Sequence, residues 1–243
     1  MVRMRIAYRD QLDAFAHDLV VMCDIVNEII TKASSALIRG SLEEAEDALS
    51  MADGLDEIRR RCEQRAIDLL LLESPVASDL RQVISSIYIV NDLRRMGALG
   101  MHVANTARRR HPDIAVAGPV KEQFREIAAA VLTMMGKTRE VLITPDVKVA
   151  YELAAEDDAV DEMNQAILTE VTSEEWAHTN REAVDAAMLT RYYERFADHC
   201  VSVAARVVYL VTGMPPEEQS DAFDHPGTDA EIIHRLTRLK DPR

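Results

Sequence analysis

The feature that most constrains this chain is its shortage of residues that interrupt helices. Its 243 residues include only 8 glycines and 8 prolines, whereas these two types together make up about 12% of an ordinary protein. No segment alternates apolar and polar residues over the length of a strand. The sequence therefore predicts an all-α protein built from long helices.

The few glycines and prolines divide the chain into six helical stretches. Gly40 and Gly213 are of the type that follows a helix, and Ser74-Pro75 and Thr144-Pro145 are of the type that begins one. The longest internal break runs from His111 to Pro119. The predicted helices span about residues 8–39, 41–72, 74–110, 120–142, 144–177 and 179–212.

The order of helices and breaks indicates an internal repeat. Leu55-Asp56-Glu57-Ile58 is similar to Val160-Asp161-Glu162-Met163, and the segment beginning at Arg95 is similar to the segment beginning at Arg195. We therefore expect two three-helix bundles packed as antiparallel helices. The predicted divisions are residues 1–111 for the first repeat, 119–214 for the second, and 215–243 for a flexible tail of mixed charge.

Apolar stripes on the last two long helices predict the faces that lie in the bundle interior. On the sixth helix the residues that recur every three or four positions are Leu189, Tyr192, Phe196, His199, Val203, Val207 and Leu210. On the fifth helix they are Leu153, Val160, Asn164, Ile167 and Val171. This periodicity is typical of a helix with one buried face.

Composition excludes several classes of partner. The net charge of −14 repels phosphate backbones, so the sequence predicts no nucleic-acid partner and poor binding of bare phosphate. No uncharged stretch approaches the roughly twenty residues of a bilayer span, and the first ten residues lack a signal-peptide core. We expect a cytoplasmic protein without membrane insertion, in which the scattered Cys23, Cys62 and Cys200 are reduced and buried.

Two pairs of acidic residues are candidates for a metal site. Asp157 and Asp161 lie four residues apart on the fifth predicted helix, and Glu194 and Asp198 have the same spacing on the sixth. Like charges at this spacing destabilise a helix unless solvent or a cation surrounds them, and carboxylate oxygens are ligands for hard metal ions. Glu194 and Asp198 point away from the apolar stripe, which places such a site at the surface. A solvated acidic face is the alternative.

Arg191 and Arg195 lie among these acids, also four residues apart. Ion pairs with neighbouring acids are the ordinary role of arginines on a helix surface. Contact with an anion is the alternative, and the spacing leaves both interpretations open.

No motif in the chain predicts catalysis by itself. Gly136-Lys137-Thr138 resembles the end of a phosphate-binding loop, but Val131 stands where the first glycine of that loop belongs. Glu175 with His178 and Glu231 with His234 have the spacing found in di-iron bundles. They lie on different predicted elements, so we do not expect them to share a core.

Several segments together resemble the PhoU family of phosphate-signalling regulators. Residues 191–199 resemble the family's E-R-I-G-D-H signature, and residues 157–161 resemble its D-D-x-I-D motif. Residues 70–81 resemble L-L-x followed by P-V-A-x-D-L-R, and residues 208–213 resemble the stretch that often follows the E-R-I-G-D-H signature. The resemblance covers about residues 4–216 in order.

This resemblance implies a cytosolic negative regulator of phosphate uptake and phosphate-starvation signalling. The implied partners are the ATPase subunit of the phosphate ABC transporter, the phosphate sensor histidine kinase and a second copy of the chain. No catalytic turnover is implied, so we do not expect an enzyme. The alternatives are a metal-independent helical adaptor and, in the enzyme class, a di-metal carboxylate enzyme.

The resemblance also implies a surface site for multinuclear iron or another metal ion such as Mn, Zn or Mg. The family's E/D-x-x-x-D ligands match Asp157, Asp161, Glu194 and Asp198 in the second repeat. The matching positions of the first repeat hold Ala52, Asp56, Arg94 and Ala98. Because only one of these four is an acid, we expect one metal site, in the second repeat.

Overall fold

The computed structural model describes residues 2–73, 77–116 and 118–219 and confirms the all-α prediction, since these ranges contain helices and no strand. No helix among them is long and apolar enough to cross a membrane. The α-helices are α1 (Val2–Arg39), α2 (Leu42–Ser50), α3 (Ala52–Glu73), α4 (Ala77–Arg110), α5 (Val120–Ile143), α6 (Val147–Val171) and α7 (Asn180–Thr212). A 3₁₀ helix over Pro216–Glu218 follows.

The helices pack as two groups that share one apolar core. In the first group α1 packs against α2, α3 and α4, and in the second α5, α6 and α7 pack against one another. The groups join where α1 contacts α5 and where α4 contacts α7. The buried apolar side chains of all seven helices form one continuous cluster.

Local chemistry fixes the predicted helix ends. Gly40 and Gly213 have φ angles of 71° and 79°, in the left-handed region that glycine adopts without steric cost. Thr179 caps α7 with its side chain, and the Glu182 carboxylate accepts the backbone N–H of Thr179 in return. The capping box predicted from these two residues is therefore present.

The second predicted helix consists of two helices rather than one. α2 ends at Ser50, and the Met51 N–H donates to the Ala48 carbonyl at 3.4 Å instead of to the carbonyl four residues back. The Ser50 hydroxyl donates to the Asp47 carbonyl at 2.7 Å. This local hydrogen bond competes with the helical pattern, and α3 begins directly after Met51.

The fifth predicted helix is shorter than expected at both ends. α6 begins after Asp146, whose side chain accepts the Lys148 N–H at 2.8 Å. It ends at Val171, and the Thr172 hydroxyl donates to the Leu168 carbonyl at 2.7 Å. These side-chain bonds satisfy terminal backbone groups that the sequence alone assigned to a longer helix.

The predicted seam of α6 is buried throughout, but the seam of α7 is rotated from its predicted position. Tyr192, His199 and Leu210 are only half-buried, whereas Tyr193 and Cys200 are fully buried. Tyr193 occupies the core because its hydroxyl has a buried hydrogen-bond partner there.

The three cysteines are free and buried as predicted, and burial raises the pKa of each thiol to about 12.

The first residues of the predicted tail, 215–219, pack against α7. The buried side chain of Gln219 donates to the Ala205 carbonyl at 3.1 Å and to the Met214 carbonyl at 2.8 Å. These bonds fasten the 3₁₀ helix to α7. The rest of the predicted tail, residues 220–243, lies outside the described residues.

Candidate functional site

The four acids predicted as metal ligands occupy neighbouring positions on the packed helices α6 and α7. Asp157 and Asp161 project from α6, where Asp157 is half-buried and Asp161 is exposed. Glu194 and Asp198 project from α7, where Glu194 is half-buried and Asp198 is exposed. We call these four residues the acid cluster. Their exposure agrees with a site at the surface of the bundle.

Asp157 is the most perturbed member of the acid cluster. Burial raises the pKa of its carboxyl to about 7, and repulsion from Asp198 and Asp161 adds to the effect. Its Oδ1 atom is buried and has no hydrogen-bond partner within the described part of the chain. A carboxylate oxygen in this state is under-solvated and is a suitable acceptor for a cation or a proton.

Asp161 and Asp198 are subject to the same two effects, burial and repulsion between carboxylates. Burial followed by repulsion from Glu194 raises the pKa of both Asp161 and Asp198. Arg191 donates to the Glu194 carboxylate and attracts Asp161 and Asp198, which lowers the pKa of each and opposes part of the rise. The acid cluster is therefore one electrostatic unit that spans two helices.

The donor set suits a hard metal ion in its chemistry. Four carboxylates offer up to eight oxygens, and partial exposure leaves room for water or another ligand. Among the described residues, no three His, Cys, Asp or Glu side chains converge on one point closely enough to hold a metal ion. The acid cluster thus has the ligand types and the excess negative charge of a metal site without a closed set of ligands.

The corresponding positions of the first repeat have a different character. Asp56 is the one acid present, and the Arg59 guanidinium donates to it at 3.2 Å. Arg94 is exposed and donates to the Asn91 side chain at 3.4 Å. Ala52 and Ala98 carry no polar group. These four positions therefore carry one acid and one arginine, with no net negative charge among them.

Lys137 has a structural contact that accounts for the incomplete phosphate-loop motif. It lies within α5 and forms ion pairs with Glu152 at 2.8 Å and Glu156 at 2.9 Å on α6. The motif therefore serves to join two helices.

His178, from the first of the two Glu-x-x-His pairs, lies in the α6–α7 connection with its ring 4.8 Å from that of Trp176. The second pair lies outside the described residues.

Sequence reasoning missed a basic surface between α4 and α7. The apolar stripe of α7 predicts His199 in the core, but its Nδ1 lies 3.1 Å from the Asp92 carboxylate near this surface. Arg94 and Arg95 lie on α4, and Arg195 lies on α7. The signal that could have found it is the recurrence of Arg95 as Arg195 in the repeat, together with the basic residue at position 94.

Comparison with known proteins identifies the family of this duplicated helical fold. Residues 19–107 and 124–207 each match the PhoU domain. The chain is 39% identical over 213 residues to the phosphate-specific transport system accessory protein PhoU homolog 2 of Mycobacterium tuberculosis, covering 88% of this chain and 100% of that protein. It is 38% identical to PhoU homolog 1 of Mycobacterium leprae, covering 89% and 98%. This chain belongs to the PhoU family.

A solved structure supports the same conclusion at the level of the fold. The crystal structure of PhoU from Pseudomonas aeruginosa superposes with a TM-score of 0.80 at 25% sequence identity. The match covers 85% of this chain and 100% of the Pseudomonas chain. The similarity extends over both groups of helices.

Proposed function

We propose that this protein is an accessory protein of phosphate transport that acts in the cytoplasm as a negative regulator of phosphate uptake and phosphate-starvation signalling. The observation that carries the proposal is the match of both halves of the chain to the PhoU domain, because the mycobacterial relatives are phosphate-specific transport system accessory proteins. It acts by protein contact and not by catalysis. Its partners are the transporter ATPase subunit and the sensor histidine kinase, and it binds them as a monomer or homodimer.

We propose further that the acid cluster holds the metal ion on which these contacts depend. The raised pKa of Asp157 and its unpartnered oxygen support a cation there, since a cation relieves both the repulsion and the lost solvation. A bound ion supplies open coordination positions for an oxyanion or for a partner's carboxylate. Asp157 and Asp161 would hold it from α6, and Glu194 and Asp198 from α7.

Affinity capture tests the regulatory role. The tagged full-length chain is purified from cells grown in high phosphate, and the ATPase subunit and the kinase are quantified. A variant with Asp157→Asn, Asp161→Asn, Glu194→Gln and Asp198→Asn should capture less of both. The matched control has the same change in net charge at exposed acids elsewhere: Glu57→Gln, Glu126→Gln, Glu140→Gln and Glu162→Gln.

Each outcome of the capture experiment assigns a role. Loss of both partners in the acid-cluster variant alone supports metal-dependent contact. Equal capture by the two variants favours the metal-independent adaptor, an alternative consistent with the lack of converging ligands among the described residues. Capture of neither partner by the unaltered chain contradicts the regulatory role itself.

Elemental analysis tests the metal independently of any partner. The unaltered chain should retain metal after gel filtration, and Asp161→Ala with Asp198→Ala should lose it. Asp56→Ala should retain it, because Asp56 is paired with Arg59 and not with other acids. Equal metal content in the unaltered chain and the double variant would exclude the acid cluster as the site.

A further inference from the structure

A concave surface between α4 and α7 concentrates positive charge in a strongly acidic protein. It has a volume of about 270 Å³, and its polar lining consists of Arg94, Arg95, His102, Arg195 and His199. Ala98 and Leu99 complete it, so no acidic residue is among the described residues that line it. We call this surface the arginine pocket.

No guanidinium group of the arginine pocket is hydrogen-bonded to a carboxylate among the described residues, although Arg195 attracts Asp198 on the same helix. Arg95 and Arg195 are exposed and form no ion pair or hydrogen bond with any side chain that the structure describes. Arg94 donates to the neutral Asn91. Other arginines of the chain, such as Arg59, are held by carboxylates. The pocket therefore gathers three guanidinium groups, of which Arg95 and Arg195 make no hydrogen bond to a described side chain and Arg94 makes one to a neutral amide.

The histidines of the pocket are positioned by neighbouring side chains. His199 contacts the Asp92 carboxylate at 3.1 Å, and the side chains of this pair are 12% and 15% exposed. His102 is stacked on the Tyr192 ring with the ring centroids 5.2 Å apart. These contacts hold the two histidine rings in place at the rim of the pocket. The Asp92 carboxylate, from the acid nearest to the pocket along α4, is paired with His199.

Together these features identify the class of ligand. Arginine binds phosphate oxygens through paired, charge-assisted hydrogen bonds, and several arginines around one cavity favour a polyvalent oxyanion over chloride. We infer that the arginine pocket binds the phosphate group of a small anion. This inference departs from the poor binding of bare phosphate that the net charge of −14 predicts, because the side chains that line the pocket are cationic or neutral.

A second cavity adjoins the first at Arg94, which lines both. It has a volume of about 360 Å³, and its apolar lining includes Phe15, Tyr88 and Val90. A phosphate group in the arginine pocket could therefore belong to free inorganic phosphate or to a ligand with an aromatic body, such as a nucleoside monophosphate. Both share the phosphate group that the arginines recognise.

Isothermal titration calorimetry on the full-length, EDTA-treated protein in 150 mM salt tests the inference. The two probes are inorganic phosphate and AMP. At least one should bind, and Arg94→Gln with Arg195→Gln should weaken that binding at least tenfold, because each substitution removes a charged donor from the pocket. The matched control, Arg125→Gln with Arg139→Gln, removes two exposed arginines from α5 and should bind as the unaltered protein does.

The two probes also distinguish the sources of the phosphate group. Equal affinity for both indicates that the free oxyanion is recognised. Tighter binding of AMP that Tyr88→Ala reduces to the level of phosphate indicates a ligand body in the second cavity. The absence of binding by both probes, or an equal loss in the pocket variant and the control, overturns the inference. Circular dichroism confirms that each variant is folded.

Discussion

The hydroxyl groups of Ser34 and Tyr193 lie 2.9 Å apart in the buried core, and they join α1 of the first repeat to α7 of the second. Burial raises the pKa of the Tyr193 hydroxyl, although its hydrogen bond to Ser34 opposes part of that rise. Both groups are removed from water, so each depends on the other for its hydrogen bond. The two repeats therefore share a specific polar contact in addition to apolar packing.

Tyr193→Phe should lower the free energy of unfolding by about 1–2 kcal/mol, because it leaves the buried Ser34 hydroxyl without its partner. Adding Ser34→Ala should recover part of this loss, because the second change removes the unsatisfied group. Urea unfolding followed by circular dichroism measures both variants. Additive losses in the double variant would show that the two hydroxyls are not coupled.

The Arg110–Asp185 ion pair should contribute more to stability than an exposed pair. It joins α4 to α7, and its side chains are only 12% and 16% exposed. Asp185→Ala should cost about 3 kcal/mol, because it leaves a buried guanidinium unpaired. Asp47→Ala, which breaks the exposed pair with Lys32, should cost less than about 1 kcal/mol. Similar unfolding midpoints for the two variants would contradict this ranking.

Asn164→Leu should stabilise the protein. Asn164 is 5% exposed on α6, and neither atom of its amide group has a hydrogen-bond partner among the described residues. An apolar side chain of similar size removes this penalty, with an expected gain of about 1 kcal/mol and about 2–4 °C in melting temperature. Asn105→Leu is the control, since Asn105 accepts a hydrogen bond from Arg108 at 2.8 Å. A lower melting temperature for Asn164→Leu would show that the amide is satisfied.

Asp157 should make the metal-free protein less stable as the pH rises. Its pKa is about 7 in the folded state against an ordinary value of 3.8, so the folded state retains a proton that the unfolded state releases. The contribution of Asp157 to the free energy of unfolding is therefore complete below about pH 4 and is lost as the pH rises to about 7. In EDTA, Asp157→Asn should raise the melting temperature relative to the unaltered chain increasingly from pH 5 to 8. Parallel melting curves for the two proteins would contradict this assignment.

Sequence reasoning succeeded where a few neighbouring residues decide the structure. Thr179 with Glu182, and Gly213, define the ends of α7 through their own side chains or backbone angles. It failed where distant residues decide, because the choice of Tyr193 over Tyr192 for the core depends on Ser34, which lies 159 positions away. The break at Met51 also escaped it, since no glycine or proline marks that turn.

The candidate site was likewise predictable from the sequence only where neighbouring residues decide it. The positions of Asp157 and Asp161 on one helix, and of Glu194 and Asp198 on another, follow from spacing and from resemblance to the family. Their mutual repulsion and the burial of Asp157 required the packing of α6 against α7. The arginine pocket was not found because its residues come from two helices about a hundred positions apart in sequence.

The difference between Arg94 and Glu194, which hold matching positions in the two repeats, has a consequence for how the molecule can be recognised. A duplicated fold with identical ends offers an approaching partner two equivalent docking orientations. Here the position held by Glu194 in one repeat is held by a cation in the other. A charged partner therefore meets a carboxylate at this position of one repeat and a guanidinium at the matching position of the other, so the two docking orientations are no longer equivalent.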